Sequence, residues 1–165
     1  MTDSVTLPAG VTLREAGEQD IPAMVEMVNA AFEEEAFFVN RPRTHAAQLT
    51  EYFRLGRFLL GHEAGQLISS VYYEVRGERG YIGMLAVRPT EQRRGLGRRM
   101  MLAAENVLRA KGCKFAELSV VDLRTALHRA YRSLGYVDAG TVEPPEDLRL
   151  KLTKPIQLIK MEKPL

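Results

Sequence analysis

The sequence predicts an α/β (α+β) fold: one three-layer domain with a mixed, mostly antiparallel central sheet flanked by helices. Three observations predict it. The chain has 165 residues, about one domain's worth, and enough to bury a core without disulfides or a metal. Glycine-punctuated apolar runs fill the stretch from Phe58 to Val87, the pattern of an antiparallel meander. From Leu96 onward the apolar period becomes helical, and strand and helix patterns alternate.

The elements follow in order. Val11 to Arg14 alternates and predicts a short strand. Asp20 is placed to cap a helix with Pro22 in its first turn, and Ile21, Met24, Val25, Val28 and Phe32 share one face. Glu33 to Phe38 predicts a helix end and loop closed by Pro42, and Thr44 starts a second helix through Tyr52 and Phe53. Phe58 to His62, Leu67 to Val75 and Tyr81 to Val87 read as strands, separated by turns at Ala64-Gly65 and between Gly77 and Gly80. Leu96, Met100, Ala103, Ala104, Val107 and Leu108 predict a long amphipathic helix from about Gly95 to Ala110, ended by Gly112. Phe115 to Val121 is a strand, Thr125 to Leu134 a helix ended by Gly135, and Tyr136 to Val142 another strand. Pro144-Pro145 interrupts, and Ile156 to Met161 is the last strand. No repeat, low-complexity tract or flexible linker divides the chain, so a single unit over 1–165 is expected, with its core at about 11–163.

Composition narrows the classes. At 45% hydrophobic and 27% charged residues, the chain is neither wholly disordered nor fibrous. Cys113 is the one cysteine, so a Cys-rich zinc site and an internal disulfide are excluded. The three histidines, His45, His62 and His128, lack metal-ligand spacing, and no metal is expected. A lone thiol fits a reducing cytosol. Met1 to Gly10 lacks the basic and apolar regions of a signal peptide, and no apolar run is long enough to span a membrane. A cytoplasmic location without membrane attachment is therefore expected. The net charge of +2 is too balanced to imply nucleic-acid binding.

Charge is concentrated locally in Arg88, Arg93, Arg94, Arg98 and Arg99. Here Leu85-Ala86-Val87 ends a strand, a polar turn follows, and Gln92-Arg93-Arg94-Gly95-Leu96-Gly97-Arg98 opens the long helix. Glycines at this position permit backbone angles closed to other residues and leave the backbone bare. The helix start offers unpaired N–H groups and a positive dipole end. A phosphate fits such a place, and the arginines add charge-assisted donors. No Walker A loop is present. A dinucleotide fingerprint fails at its third glycine, where Met100 stands.

These residues resemble the acetyl-CoA signature of the GNAT acetyltransferase superfamily, Gln/Arg-x-x-Gly-x-Gly/Ala. Ala130-Tyr131-Arg132-Ser133-Leu134-Gly135-Tyr136 resembles the second signature of that family, and Met161 to Leu165 resembles its tail. The likeness covers about residues 58 to 165. It implies an N-acetyltransferase of acyl-CoA N-acyltransferase-like fold, moving an acetyl group from acetyl-CoA to a small-molecule or peptide amine in a ternary complex. It implies that amides from Arg93 to Arg98 hold the pyrophosphate and that Leu85, Ala86 and Val87 border the pantetheine arm. A backbone N–H near Leu85 then faces the thioester carbonyl, and Tyr131 protonates the departing thiolate. Pairing into a homodimer is a further expectation.

The chain departs from the family pattern in two places. Arg124 stands where many relatives carry an asparagine, and Tyr81 where some carry a glutamate base. The base therefore stays open between Glu74, one of Glu33, Glu34 and Glu35 through water, and bulk solvent. Glu33, Glu34 and Glu35 with Phe37 are also weighed as an acceptor site for a cationic amine. The alternatives are a CoA-binding regulator without transferase activity and a nucleic-acid-binding domain built on the arginines. The absence of interleaved aromatic residues argues against the latter.

Overall fold

In the computed structural model, residues 5–165 are described. The reading of Met1 to Gly10 as free of a leader falls in part on residues 1–4, outside the described residues. Seven strands form one sheet: β1 Val11–Glu15, β2 Arg57–Glu63, β3 Gln66–Arg76, β4 Arg79–Val87, β5 Phe115–Val121, β6 Val137–Val142 and β7 Leu158–Pro164. Their spatial order is β1-β2-β3-β4-β5-β7-β6. Every pairing is antiparallel except β4 with β5. The helices are α1 Ile21–Ala31, α2 Ala46–Leu55, α3 Leu96–Ala110, α4 Thr125–Ser133 and the short α5 Glu146–Arg149.

Alternation along the strands divides the core in two. Leu59, Val71, Tyr73 and Ile82 face one way, onto Met100, Ala104 and Leu108 of α3 and Tyr131 of α4. Phe58, Leu60 and Tyr72 face the other way, onto Met24, Met27 and Val28 of α1 and Leu49 of α2. The three layers expected from the sequence follow from this period-two exchange.

Several elements differ from expectation. Asp20 does not cap α1 with its side chain. Its carboxylate turns back to accept from the Gly17 N–H at 2.8 Å and to pair with Arg14 at 2.6 Å. Those partners hold the acid at a pKa of about 2, the Arg14 hydrogen bond acting most strongly. The buried face of α1 includes Met27 and Ala31, while Val25 and Phe32 are only half-buried. The second helix is capped by His45, whose side chain accepts from the Gln48 N–H. The last strand begins at Leu158 rather than Ile156. Gly80 lies within β4 rather than beside the turn.

The irregularity that matters is in β4. Ile82 joins the α3 side of the core, yet Met84, two residues on, joins the α1 side. A regular strand would put both on one face. Met84 has a φ of 49°, and the β3–β4 register shifts between Ser70 and Tyr72, paired with Ala86 and Gly83. This is a bulge that inserts one residue and resets the phase. Left-handed backbone at a methionine costs roughly 1–3 kcal/mol, offset only by the packing around it. The parallel ladder of β4 with β5 spans only Arg79↔Phe115, Gly80↔Ala116 and Tyr81↔Glu117. Beyond Tyr81 the two strands part, and the edge of β4 facing β5 has no strand partner.

Gly80 anchors the paired end of this fork. A Cβ built there would lie 2.4 Å from a methyl of Leu108, which is fully buried. Gly80→Val should therefore lower stability by roughly 1–3 kcal/mol, the range for overpacking a core, as measured by urea denaturation.

Candidate active site

The space opened by the fork continues into a groove. A first cavity of about 160 Å³ is lined by Tyr81, Ile82, Gly83, Met84 and Leu85 from β4 and Leu118 to Val121 from β5. Glu35, Arg43, Tyr52, Arg124 and Tyr131 also stand in its wall. A second cavity of about 350 Å³ shares Leu85, Arg124 and Tyr131 with the first and continues over Ala86, Val87, Gln92, Arg93, Gly95, Leu96 and Gly97. A third, of about 170 Å³, runs past Gly97 to Arg98, Ala130 and Ser133. Tyr131 lines all three. Met84 is the residue at which β4 turns its edge to this space.

The turn before α3 has the form that a phosphate requires. Arg93 and Gly95 both take left-handed backbone, at φ of 68° and 74°. Gly95 precedes the helix without any side-chain cap, so the first N–H groups of α3 stay available. A Cβ at Gly97 would touch only Leu85 and Val87, at 3.8 and 3.9 Å. Its absence leaves groove volume rather than relieving a clash.

The arginines do not all serve this turn. Arg94 is held by Glu63 at 2.9 Å and Glu91 at 2.6 Å. Arg88 is held by Glu26 at 3.0 Å and the Leu67 carbonyl at 2.9 Å. Arg99 donates to the carbonyls of Thr6 and Arg94. Arg94 is thus a brace of the loop, and its side chain lines none of the three cavities. Arg93 and Arg98 are exposed, line the groove, and have no ion pair among the described residues.

Tyr131 is buried, and its hydroxyl has no hydrogen-bond partner among the described residues. Burial pushes its pKa well above the ordinary phenol value, opposed weakly by Arg124. The ring stacks edge-on against Tyr136 at 6.2 Å. Tyr136 in turn donates to the fully buried Glu105 at 2.8 Å, which also accepts from Lys163 at 2.8 Å. Gly135, at φ of 101°, makes the turn that lets Tyr131 and Tyr136 meet.

The acidic run separates in space. Glu33 pairs with Arg41 at the surface, at 3.0 Å. Phe37 packs edge-on to Phe38 beneath Lys154. Neither lines the three cavities. Glu34 lines the second cavity and Glu35 the first, and Arg124 bridges the two, at 3.1 and 2.8 Å. Burial raises the Glu35 pKa, opposed by Arg124 and Arg43. Burial also acts to raise Glu74, but its bonds from Arg76 and Tyr72 outweigh that and hold it below the carboxylate range. Glu74 lines none of the three cavities. Arg43, Tyr52 and Ser119 were not anticipated as site residues. They come from a loop, helix α2 and strand β5, and no local motif marks them.

Arg124→Ala should strand Glu35 in the cavity wall. Arg124 is the strongest of the groups that oppose the effect of burial on Glu35, so without it the Glu35 pKa rises further and the penalty for the ionised form grows as pH rises. The variant should lose about 3 kcal/mol at pH 8 and distinctly less at pH 5, measured by urea denaturation at both values.

A model of the acetyltransferase (GNAT) family matches residues 22–136. An IAA acetyltransferase from Azospirillum brasilense is 29% identical over 109 residues, 61% of this chain and 68% of that protein. A mycothiol acetyltransferase from Thermobispora bispora is 34% identical over 96 residues, 54% of this chain but 32% of that longer protein. Among solved structures, the ribosomal-protein-S18-alanine N-acetyltransferase of Escherichia coli superimposes with a TM-score of 0.75 at 19% identity, over 93% of each chain. The PaiA N-acetyltransferase of Thermoplasma acidophilum, solved with coenzyme A, gives 0.75 at 15% identity, over 94% of this chain and 99% of that one. With the split sheet, the glycine turn and this family match in agreement, the chain belongs to the acetyltransferase (GNAT) family and is an acyltransferase.

Proposed function

We propose that the enzyme transfers an acetyl group from acetyl-CoA to a primary amine by direct attack, with both substrates bound together. The observation that carries this reading is the parting of β4 from β5 beyond Tyr81, with Tyr131 buried at the opening. The groove fits the co-substrate on three counts. The free edge of β4 matches an amide-bearing arm that binds as a strand would. The uncapped turn from Arg93 to Arg98 matches a diphosphate. Gly97 keeps the passage between them open.

Each residue then has a task. Leu85 and Val87 border the extended arm, while Arg93 and Arg98 add charge beside the phosphates. As the amine nitrogen bonds to the acetyl carbon, the carbon–sulfur bond breaks and Tyr131 gives its proton to the leaving thiolate. The high pKa of Tyr131 keeps that proton in place at ordinary pH. Glu35 is the carboxylate of the acidic run on the inner cavity, and it takes the ammonium proton, directly or through water. Its raised pKa suits a base better than that of an ordinary glutamate. Glu33 and Phe37, which line none of the three cavities, have no task in this scheme.

The nucleic-acid reading loses its support, because Arg88, Arg94 and Arg99 are engaged within the fold. A thiol-release assay with acetyl-CoA and an amine panel, run beside calorimetry with coenzyme A, tests the proposal. Tyr131→Phe should reduce kcat by about 100-fold with acetyl-CoA affinity little changed. The wild type should show no activity loss from tyrosine ionisation up to about pH 10, the ordinary phenol value. Gly97→Val should leave the fold intact and weaken coenzyme A binding about tenfold or more, each factor of ten being 1.4 kcal/mol.

A further inference from the structure

The inner cavity has a guanidinium donor that the transfer reaction does not use. Its wall holds two guanidinium groups, Arg43 and Arg124, and one carboxylate, Glu35. Arg124 is fully engaged, with one nitrogen on Glu35 and another on Glu34. Arg43 is not. Its Nε approaches Glu35 only to 4.0 Å, beyond hydrogen-bonding distance. That Nε is buried and has no hydrogen-bond partner. The guanidinium stacks at 5.3 Å over the Phe32 ring, and Tyr52 and Tyr81 complete the surrounding wall. A planar cation with idle donors, fixed among aromatic rings, is a receptor for a planar anion. Leaving a buried charged donor unmet costs free energy, and a ligand carboxylate removes that cost.

We propose that the acceptor is a small aminocarboxylic acid, whose carboxylate is bound by Arg43 while its amine faces Tyr131. This deepens the preceding reading and rests on it. Arg43 and Tyr131 line the same cavity, and its volume of about 160 Å³ suits a compact molecule. The two ends of the substrate thus meet opposite chemistry, a cation with an idle donor at one and the proton-transfer groups at the other. Plain alkylamines and polyamines place nothing on Arg43.

The test uses the full chain with acetyl-CoA and the common L-amino acids, each matched with its carboxamide and its decarboxylated amine. At least one acid should be turned over with a kcat/KM about 10- to 100-fold above its carboxamide, the range for a charge-assisted bond. Arg43→Gln should raise KM for that acid about tenfold or more with a smaller change in kcat, so that the preference for acid over carboxamide collapses. Arg43→Lys, which keeps the charge without the fork, should fall between. Equal use of acids and carboxamides overturns the proposal, as does an Arg43→Gln enzyme that folds and keeps the preference. It is likewise overturned if coenzyme A binds by calorimetry but no acid is turned over or raises the melting temperature. Failure of coenzyme A to bind strikes instead at the acetyl-transfer reading.

Discussion

Everything functional in this fold depends on two neighbouring parallel strands that pair for three residues and then separate. Parallel ladders are ordinarily buried and continuous. Here the bulge at Met84 turns β4 out of register at the point where pairing with β5 would continue. The packing on both faces holds that distortion: Ile82 is committed to α3 on one side, and Met84 and Ala86 to α1 on the other. The result is a strand edge that lines the cavities yet has no strand partner among the described residues. The unpaired N–H and C=O groups of such an edge are available to a partner that runs alongside it. An extended ligand with amide groups is such a partner.

The charges around the opening are arranged by partner rather than by density. The five clustered arginines look like one basic patch, but three of them brace the loop and the sheet end through Glu26, Glu63, Glu91 and backbone carbonyls. This stiffens the turn before α3, so that its amides are preorganised, and leaves Arg93 and Arg98 for the groove. The acidic run is treated in the same way. Arg124, at the position where the family often has an asparagine, ties Glu34 and Glu35 to the start of α4. That pairing engages Arg124 fully and leaves the buried Nε of Arg43 without a hydrogen-bond partner.

Much of the scaffold was legible in the sequence because local physics determines it. The span of β5 is Phe115–Val121 as expected, and α3 follows its apolar period and its glycine boundaries. Gly95 and Gly97 mark the turn because no other residue does the same work there. The bulge was not legible, since methionine has no preference for left-handed backbone and Met84 reads as an ordinary core residue. Asp20 read as a helix cap because the competing partner, Arg14, is six residues away across a turn. Arginine roles were hidden for the same reason: Arg94 finds Glu63 at a separation of 31 residues, and Arg124 finds Glu35 at 89. Pairings of that range are set by the finished sheet, not by any local pattern.

Amide hydrogen exchange along β4 and the α3 turn tests the central claim most directly. With coenzyme A added, the amides from Gly83 to Val87 and from Arg93 to Arg98 should slow together, while those of the paired segment from Arg79 to Tyr81 stay as they were. Slowing confined to other parts of the chain, or no slowing in either segment at saturating coenzyme A, would contradict the assignment of the split strand as the co-substrate's partner.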